Sequence, residues 1–225
     1  GLTTDGIQAL TTEQVAALTT AQVVSLTTDQ VAAMATDDVQ ALTTAQFAVL
    51  SAAQIRALGT DQIHALTTDQ VSNLTTAQVS VLSSTQIAAV STDDIAAMGT
   101  NQIKSLTSVQ VAALTTDQVV AIETSDISSL NTAALRGLTT DGVKALTTEQ
   151  VAALATTQVA VFSSSQIAAM ETDDVVAMSS DQIKVLGSTQ IAALTTEQVA
   201  AIATNDIVAM NTTALRSMTT DGIQA

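Results

Sequence analysis

The chain has 225 residues, two phenylalanines, no cysteine, tryptophan, tyrosine or proline, and a formal net charge of −15. Disulfide, thiol and zinc–thiolate chemistry are excluded, there is no aromatic platform for stacking bases or sugars, and a nucleic-acid partner is disfavoured because its binding depends on neutralising phosphates. Thr, Asp or Gln interrupts every apolar run far short of the ~20 residues of a membrane span, so membrane insertion is not expected.

Taken from its start, the chain is one motif. From Leu2 to Ala225 it reads without a gap as 28 octads of the type Leu-Thr-Thr-Asp-Gln-Val-Ala-Ala. Position 1 is always Leu, Met, Ile, Val or Phe, from Leu2 and Leu10 through Phe162 to Met218. Position 6 is Val or Ile, with Phe47, Leu135 and Leu215 as the exceptions. Position 3 is Thr or Ser except at Ala52, and position 8 is small, with Val49, Val81, Val161 and Val185 the largest. All six Met residues stand at position 1, which makes them core fillers rather than a ligand set.

Three conformations compete for such an octad. In one continuous α-helix the apolar stripe would drift by about 80° per repeat and could face no common partner. In a regular β-strand, positions 1 and 6 differ in parity and would point to opposite faces. The third is a short helix in every octad, redirected at the Thr pair. Thr or Ser ahead of an acid and a Gln is an N-cap signal. The near-invariance of position 3 makes it the expected cap; Thr-x-x-Gln from position 2 to position 5 offers a capping box in the alternative register.

Charge placement decides for the helix. All 21 acids lie at positions 2, 4 or 5, whereas Arg56, Lys104, Arg136, Lys144, Lys184, Arg216 and the lone His64 all lie at position 7. Acids at the start and bases at the end of each unit are what a helix dipole favours. A helix of about six residues is unstable alone, so its stability must come from neighbouring octads sharing a narrow core. The expected fold is all-α: an α-solenoid of 28 octapeptide repeats, one very short helix per repeat, with three to five octads per turn.

No Pro-rich or Gly/Ser-rich linker interrupts the array, so residues 1–225 are expected to form a single continuous solenoid, a fragment of a longer array whose ends invite end-to-end self-association. The segment Thr124–Val143 returns 80 residues later as Thr204–Ile223, and Val81–Leu106 returns as Val161–Leu186. Block duplication accounts for this. Gly6, Gly142 and Gly222 replace Gln at position 5, where tighter packing or an altered helix start is expected.

His64 has no nucleophile to serve and reads as a surface side chain. The Asp pairs 37/38, 93/94 and 173/174 read as helix N-terminal dipole partners rather than acid/base dyads, since adjacent helical residues do not face each other. Phosphate loops and calcium-binding nonapeptides are missing. Asn-x-Thr at Asn73 and Asn211 is expected by chance in so Thr-rich a chain. No catalytic, cofactor-binding or metal-ligating residue is expected, and no enzyme. A Thr array of the ice-binding kind is disfavoured because the hydroxyls are committed to caps. The exposed positions 4 and 7 are left as a partner-binding face.

The octads, for instance LTTEQVAALTTAQV at Leu10–Val23, resemble Thr-Thr-x-Gln-Val arrays of very long bacterial surface or secreted proteins, some carrying adhesin or RTX-type modules. That resemblance spans the chain and implies an extracellular or cell-surface stalk, spacer or scaffold, a cytoplasmic setting being the competing location. A second expectation is a solenoid binding module for a protein, glycan or calcium. Leu114–Ile122, LTTDQVVAI, is similar to the opening of the first helix of TAL-effector repeats, which supports helix initiation after Leu-Thr. No second helix, base-reading loop or basic surface follows, so DNA binding does not carry over.

Overall fold

The computed structural model describes residues 3–210 and 212–218. Leu2, the Asn211 sequon, Gly222 and the closing octad beyond Met218 lie outside the described residues. Within them every octad from Thr4–Gln8 to Thr212–Leu215 forms one α-helix of four to six residues, and no strand occurs among the described residues. Two compact units are present, Gly1–Leu106 and Thr107–Ala225. Each is an α-solenoid segment.

The octad becomes a helix for local reasons. Position 2 holds an extended conformation, as at Thr43 with φ −64° and ψ 158°, and the helix Thr44–Ala48 starts on the next residue. The Thr43 hydroxyl accepts from the Gln46 N–H at 3.3 Å while Gln46 Oε1 accepts from the Thr43 N–H at 2.7 Å. This reciprocal box recurs at Thr27, Ser51, Thr75, Ser83, Thr147 and Thr195. The cap is therefore position 2, and the expectation of position 3 is corrected. Position 3 is the first helical residue, where its hydroxyl points outward; only a residue three before the Gln can close the box. Where position 2 is Gly59 or Gly99, the glutamine half alone remains, with Gln Oε1 2.8 Å from the Gly N–H.

Termination is equally local. After position 8 the next position 1 leaves the helix with an extended backbone, as at Leu58 with ψ 131°, and its N–H donates to the carbonyl of Ile55 at 3.3 Å. Positions 6 and 1 thus stay three residues apart on one face. That face is the core: Val39, Phe47, Ile55 and Ile63 are all but inaccessible, as are Leu42, Leu50 and Leu58 behind them. Met34, Met98, Met170, Met178 and Met210 are buried at position 1, as packing side chains. Ala at positions 7 and 8 leaves room for the neighbouring coil.

Such short helices are held by stacking. In the first unit Thr4–Gln8 packs on Thr28–Ala33, Thr12–Ala16 on Thr36–Ala41, and so on to Thr76–Val81 on Thr100–Ser105. In the second unit the same spacing runs from Ser108–Ala112 on Thr132–Leu135 to Ser188–Ile191 on Thr212–Leu215. Each helix lies against the one three octads on, which sets the coil at between three and four octads. One contact admits only glycine: a Cβ on Gly137 would stand 2.1 Å from the Ser108 carbonyl oxygen. Elsewhere position 8 carries a Cβ.

The cap assignment predicts an ordering. Thr43→Ala should cost about 1 kcal/mol through loss of the cap, whereas Thr44→Ala should stay within ~0.5 kcal/mol as an exposed substitution. Urea unfolding of the two variants checks this; the reverse ordering would return the cap to position 3.

Candidate functional site

The chemistry of this chain is concentrated in its position-5 side chains. Beyond the box, the glutamine amides of the later coils within each unit send their N–H2 across to the preceding coil. Gln54 Nε2 donates to the carbonyls of Val23 at 2.9 Å and Leu26 at 3.0 Å. Gln62 reaches Val31 and Met34, and Gln86 reaches Ile55 and Leu58. In the second unit Gln150 reaches Val119 and Ile122, Gln158 reaches Ile127 and Leu130, and Gln190 reaches Val159 and Phe162. The acceptors lie 31 and 28 residues back, at position 6 and the following position 1. They lie at the end of a short helix: the position-6 carbonyl also accepts from the next position-1 N–H, as Ile55 does from Leu58, and the position-1 carbonyl belongs to the residue that leaves the helix. Gln54, Gln86, Gln150 and Gln158 are buried, so these bonds form away from solvent.

Sequence reasoning missed this role, having read the glutamine only as half of a capping box. One signal was present. Glutamate would close the box equally well and suit the helix dipole better, yet no octad has Glu at position 5. The amide N–H2 is what glutamate lacks.

Five octads place an aspartate there instead. Asp38, Asp94 and Asp174 are buried, while their neighbours Asp37, Asp93 and Asp173 are exposed. The pairs thus separate into an outward acid in the first turn and an inward one. Asp174 Oδ2 accepts from the Glu171 N–H at 3.2 Å, and Asp94 Oδ2 accepts from the Ser91 hydroxyl at 2.7 Å. A carboxylate keeps the accepting half of the glutamine's work and has no proton for the donating half. Burial pushes the Asp174 carboxyl up to about 6, against the pull of the Glu171 N–H and with the charges of Glu171 and Asp173 adding to the rise. Asp38 is raised as well, chiefly by burial. Glu13 and Glu149, exposed in the first turn, are held below the usual range by their own backbone N–H groups and then by the hydroxyls of Thr11 and Thr147.

The remaining candidates occupy the surface. Positions 4 and 7 point outward. His64 is exposed, and its Nδ1 lies 3.2 Å from the Ala89 carbonyl oxygen; Arg56 Nε donates to the Val81 carbonyl at 3.4 Å. Both reach position-8 carbonyls of the following coil. Lys144 pairs with Glu171 at 3.4 Å, an exposed contact worth little. Asn73 Nδ2 donates to the Asp69 carbonyl. Gly142 is buried at position 5, where a Cβ would crowd the Leu138 side chain at 2.9 Å. No group of three or more His, Cys, Asp or Glu side chains converges to hold a metal among the described residues. Among the same residues no helix is long and apolar enough to cross a membrane.

The repeat also decides the family. The model of the ALTTAQ repeat matches residues 16–44, 31–68, 39–76, 88–121, 119–156, 167–204 and 199–225. The chain belongs to the ALTTAQ repeat family. Those overlapping matches take in most of the chain, and the Thr-Thr-x-Gln core of the repeat is the segment that builds the cap and the inter-coil bonds. No curated protein matches the chain.

Two measurements probe position 5. Gln54→Ala should cost roughly 2–4 kcal/mol, since it removes a bond from the buried Val23 carbonyl, from the half-buried Leu26 carbonyl and from the Ser51 N–H; denaturant unfolding reads the loss. For Asp174, whose carboxyl is raised in the folded chain, the associated stability is complete below the ordinary carboxylate range and is lost as pH climbs through about 6. The melting temperature of Asp174→Asn should therefore exceed that of the parent chain at pH 7, with the gap closing by pH 4. A gap that does not change with pH would show that Asp174 does not titrate in this range.

Proposed function

We propose that this chain is a non-enzymatic structural module, a stiff stalk, spacer or scaffold within a large bacterial surface or secreted protein. One observation carries the reading: in both units the same contacts recur, a helix stacked on the helix three octads on and a buried glutamine amide donating to the end of the helix four octads back. A chain in which each coil holds the next by the same bonds resists extension along its length and can be lengthened by adding octads. The outward positions 4 and 7 carry acids, alanines and a few bases, which suits a solvated exterior. The bacterial surface setting rests on the resemblance of the octads to long Thr-Thr-x-Gln-Val arrays, and a cytoplasmic scaffold is its competitor.

Pulling single molecules of the chain from its two ends tests the mechanical part. Rupture should proceed in steps of about 10 nm, the contour of the 28 residues between bridged groups. A single all-or-none rupture would count against the spacer. Labelling the lysines of intact cells with a membrane-impermeant reagent tests the location; labelling that requires lysis would remove the surface assignment and leave the scaffold.

A further inference from the structure

The exterior is not uniform around the coil. The 21 acids are gathered in some octads and wholly missing from others. In the first unit the acid-free helices are Thr20–Val24, Thr44–Ala48, Ala52–Ala57, Thr76–Val81, Ser84–Ala89 and Thr100–Ser105. They lie over one another: Thr20–Val24 packs on Thr44–Ala48, Ala52–Ala57 on Thr76–Val81, and Thr76–Val81 on Thr100–Ser105. The amides join the same octads, Gln54 reaching Val23, Gln78 reaching Phe47 and Gln86 reaching Ile55. In the second unit Ser108–Ala112 packs on Thr132–Leu135 and that helix on Thr156–Val159, while Ser164–Ala169 packs on Ser188–Ile191 and that helix on Thr212–Leu215. Gln166 reaches Leu135 and Gln190 reaches Val159. Each unit thus carries an acid-free strip along one side of its coils.

Helix physics does not account for the strip. An acid at position 4 suits the start of every helix equally, yet along the strip of the second unit that position holds Val109, Ala133, Thr157, Ser165 and Thr189, all exposed. Nor does block duplication, which copies a pattern without making one; the strip is already present in the first unit. Acids are excluded from one side of a coil when that side meets a surface where a carboxylate would lose its water. The strip runs along the flank of the coils, so octads added at either end would lengthen it without covering it. With Arg136 and Arg216 its only bases in the second unit, it is too weakly cationic for a polyanionic partner.

The relief of the strip points to its partner. Between Ser108–Ala112 and Thr132–Leu135 lies an open groove of about 550 Å³, lined by Ser108, Val109, Ala112, Ala133, Arg136 and Gly137. Val109 stands at its edge, 66 % exposed. A raised valine beside a groove of small side chains is self-complementary: two copies related by a two-fold axis seat each valine in the other's groove. Charge agrees, since Arg136 is exposed in the groove and Asp117 is exposed on Thr116–Ala121, the acid-bearing helix that borders the strip. We infer that the acid-free side of the unit Thr107–Ala225 docks side by side on the same side of a second copy of this chain, Val109 of each copy seated beside Gly137 of the other and Arg136 paired with Asp117. The acids beyond the border then face away from the junction, which keeps the net charge of −15 out of it. Such a contact is isologous and closes at a dimer. It goes beyond the spacer reading, which stands whether or not two copies pair.

Sedimentation velocity on the whole chain over a concentration series tests the docking, and a monomer–dimer equilibrium is the expected result. Val109→Asp installs the residue that position 4 carries in many other octads, so the circular dichroism spectrum should not change. Dimer affinity should fall about ten-fold or more, because a carboxylate is then buried in the junction. Val176→Asp, at a 60 % exposed site on an acid-bearing octad, should leave the dimer as it was. Arg136→Asp and Asp117→Arg should each weaken the dimer, and the two together should restore it. A monomer at every concentration, a dimer indifferent to Val109→Asp, an equal loss from Val176→Asp, or a charge exchange that restores nothing would each overturn the proposal.

Discussion

A glutamine amide shared between two coils is the interaction on which the rest of this structure depends. A helix of one and a half turns leaves almost all its backbone groups without internal partners: N–H groups at its start, carbonyls at its end. In an ordinary domain, water and longer helices absorb that deficit. Here the position-5 glutamine answers both sides of it. Its Oε1 takes the N–H of its own cap, and its Nε2 takes two end carbonyls of the preceding coil. The start of one helix thus completes the end of another, and neither is complete alone. Burial of Val, Ile and Leu at positions 6 and 1 supplies the driving force, while the amide lets those side chains be buried without orphaning the backbone beside them.

This division of labour explains which variation the array absorbs. Positions 4 and 7 point outward and range from Asp and Glu to Val, Arg and Lys. Position 2 accepts Gly or Ala because the glutamine half of the box survives, as at Gly59 and Ala155. Position 5 is less free. Asp174 keeps one acceptor and forfeits both donors, at the cost of a raised carboxyl in a buried site. Near-identical octads also raise the problem of register, since a slip of one octad would present equivalent groups. Residues that fit in one place only break that degeneracy, and Gly137 against the Ser108 carbonyl is such a place.

Much of the fold was legible because a strict register carries its own geometry. Positions 1 and 6, three apart around a helix, placed Leu58 and Ile55 on one buried face. The segregation of acids such as Asp61 from His64 and Arg56 gave each unit a start and an end. Near-invariance points to position 3 as the cap, yet it does not mark bonding here: the near-constant Thr44 is exposed, whereas the capping Thr43 stands where Ser, Gly, Ala, Asn and Glu also occur. Gln54 showed only its local half. Its second set of partners lies 28 and 31 residues away, and nothing in the local pattern names them.

What the chain determined by itself is therefore the unit: where each helix begins and ends, which face is apolar, and that so short a helix requires neighbours. These follow from interactions spanning three or four residues, which an octad contains in full. The tertiary structure alone decided the coil of between three and four octads, the choice of carbonyls beneath each glutamine, and which member of each Asp pair is buried. Those depend on the angle at which one helix meets the next. That angle arises from packing summed over a whole coil, and no single octad encodes it.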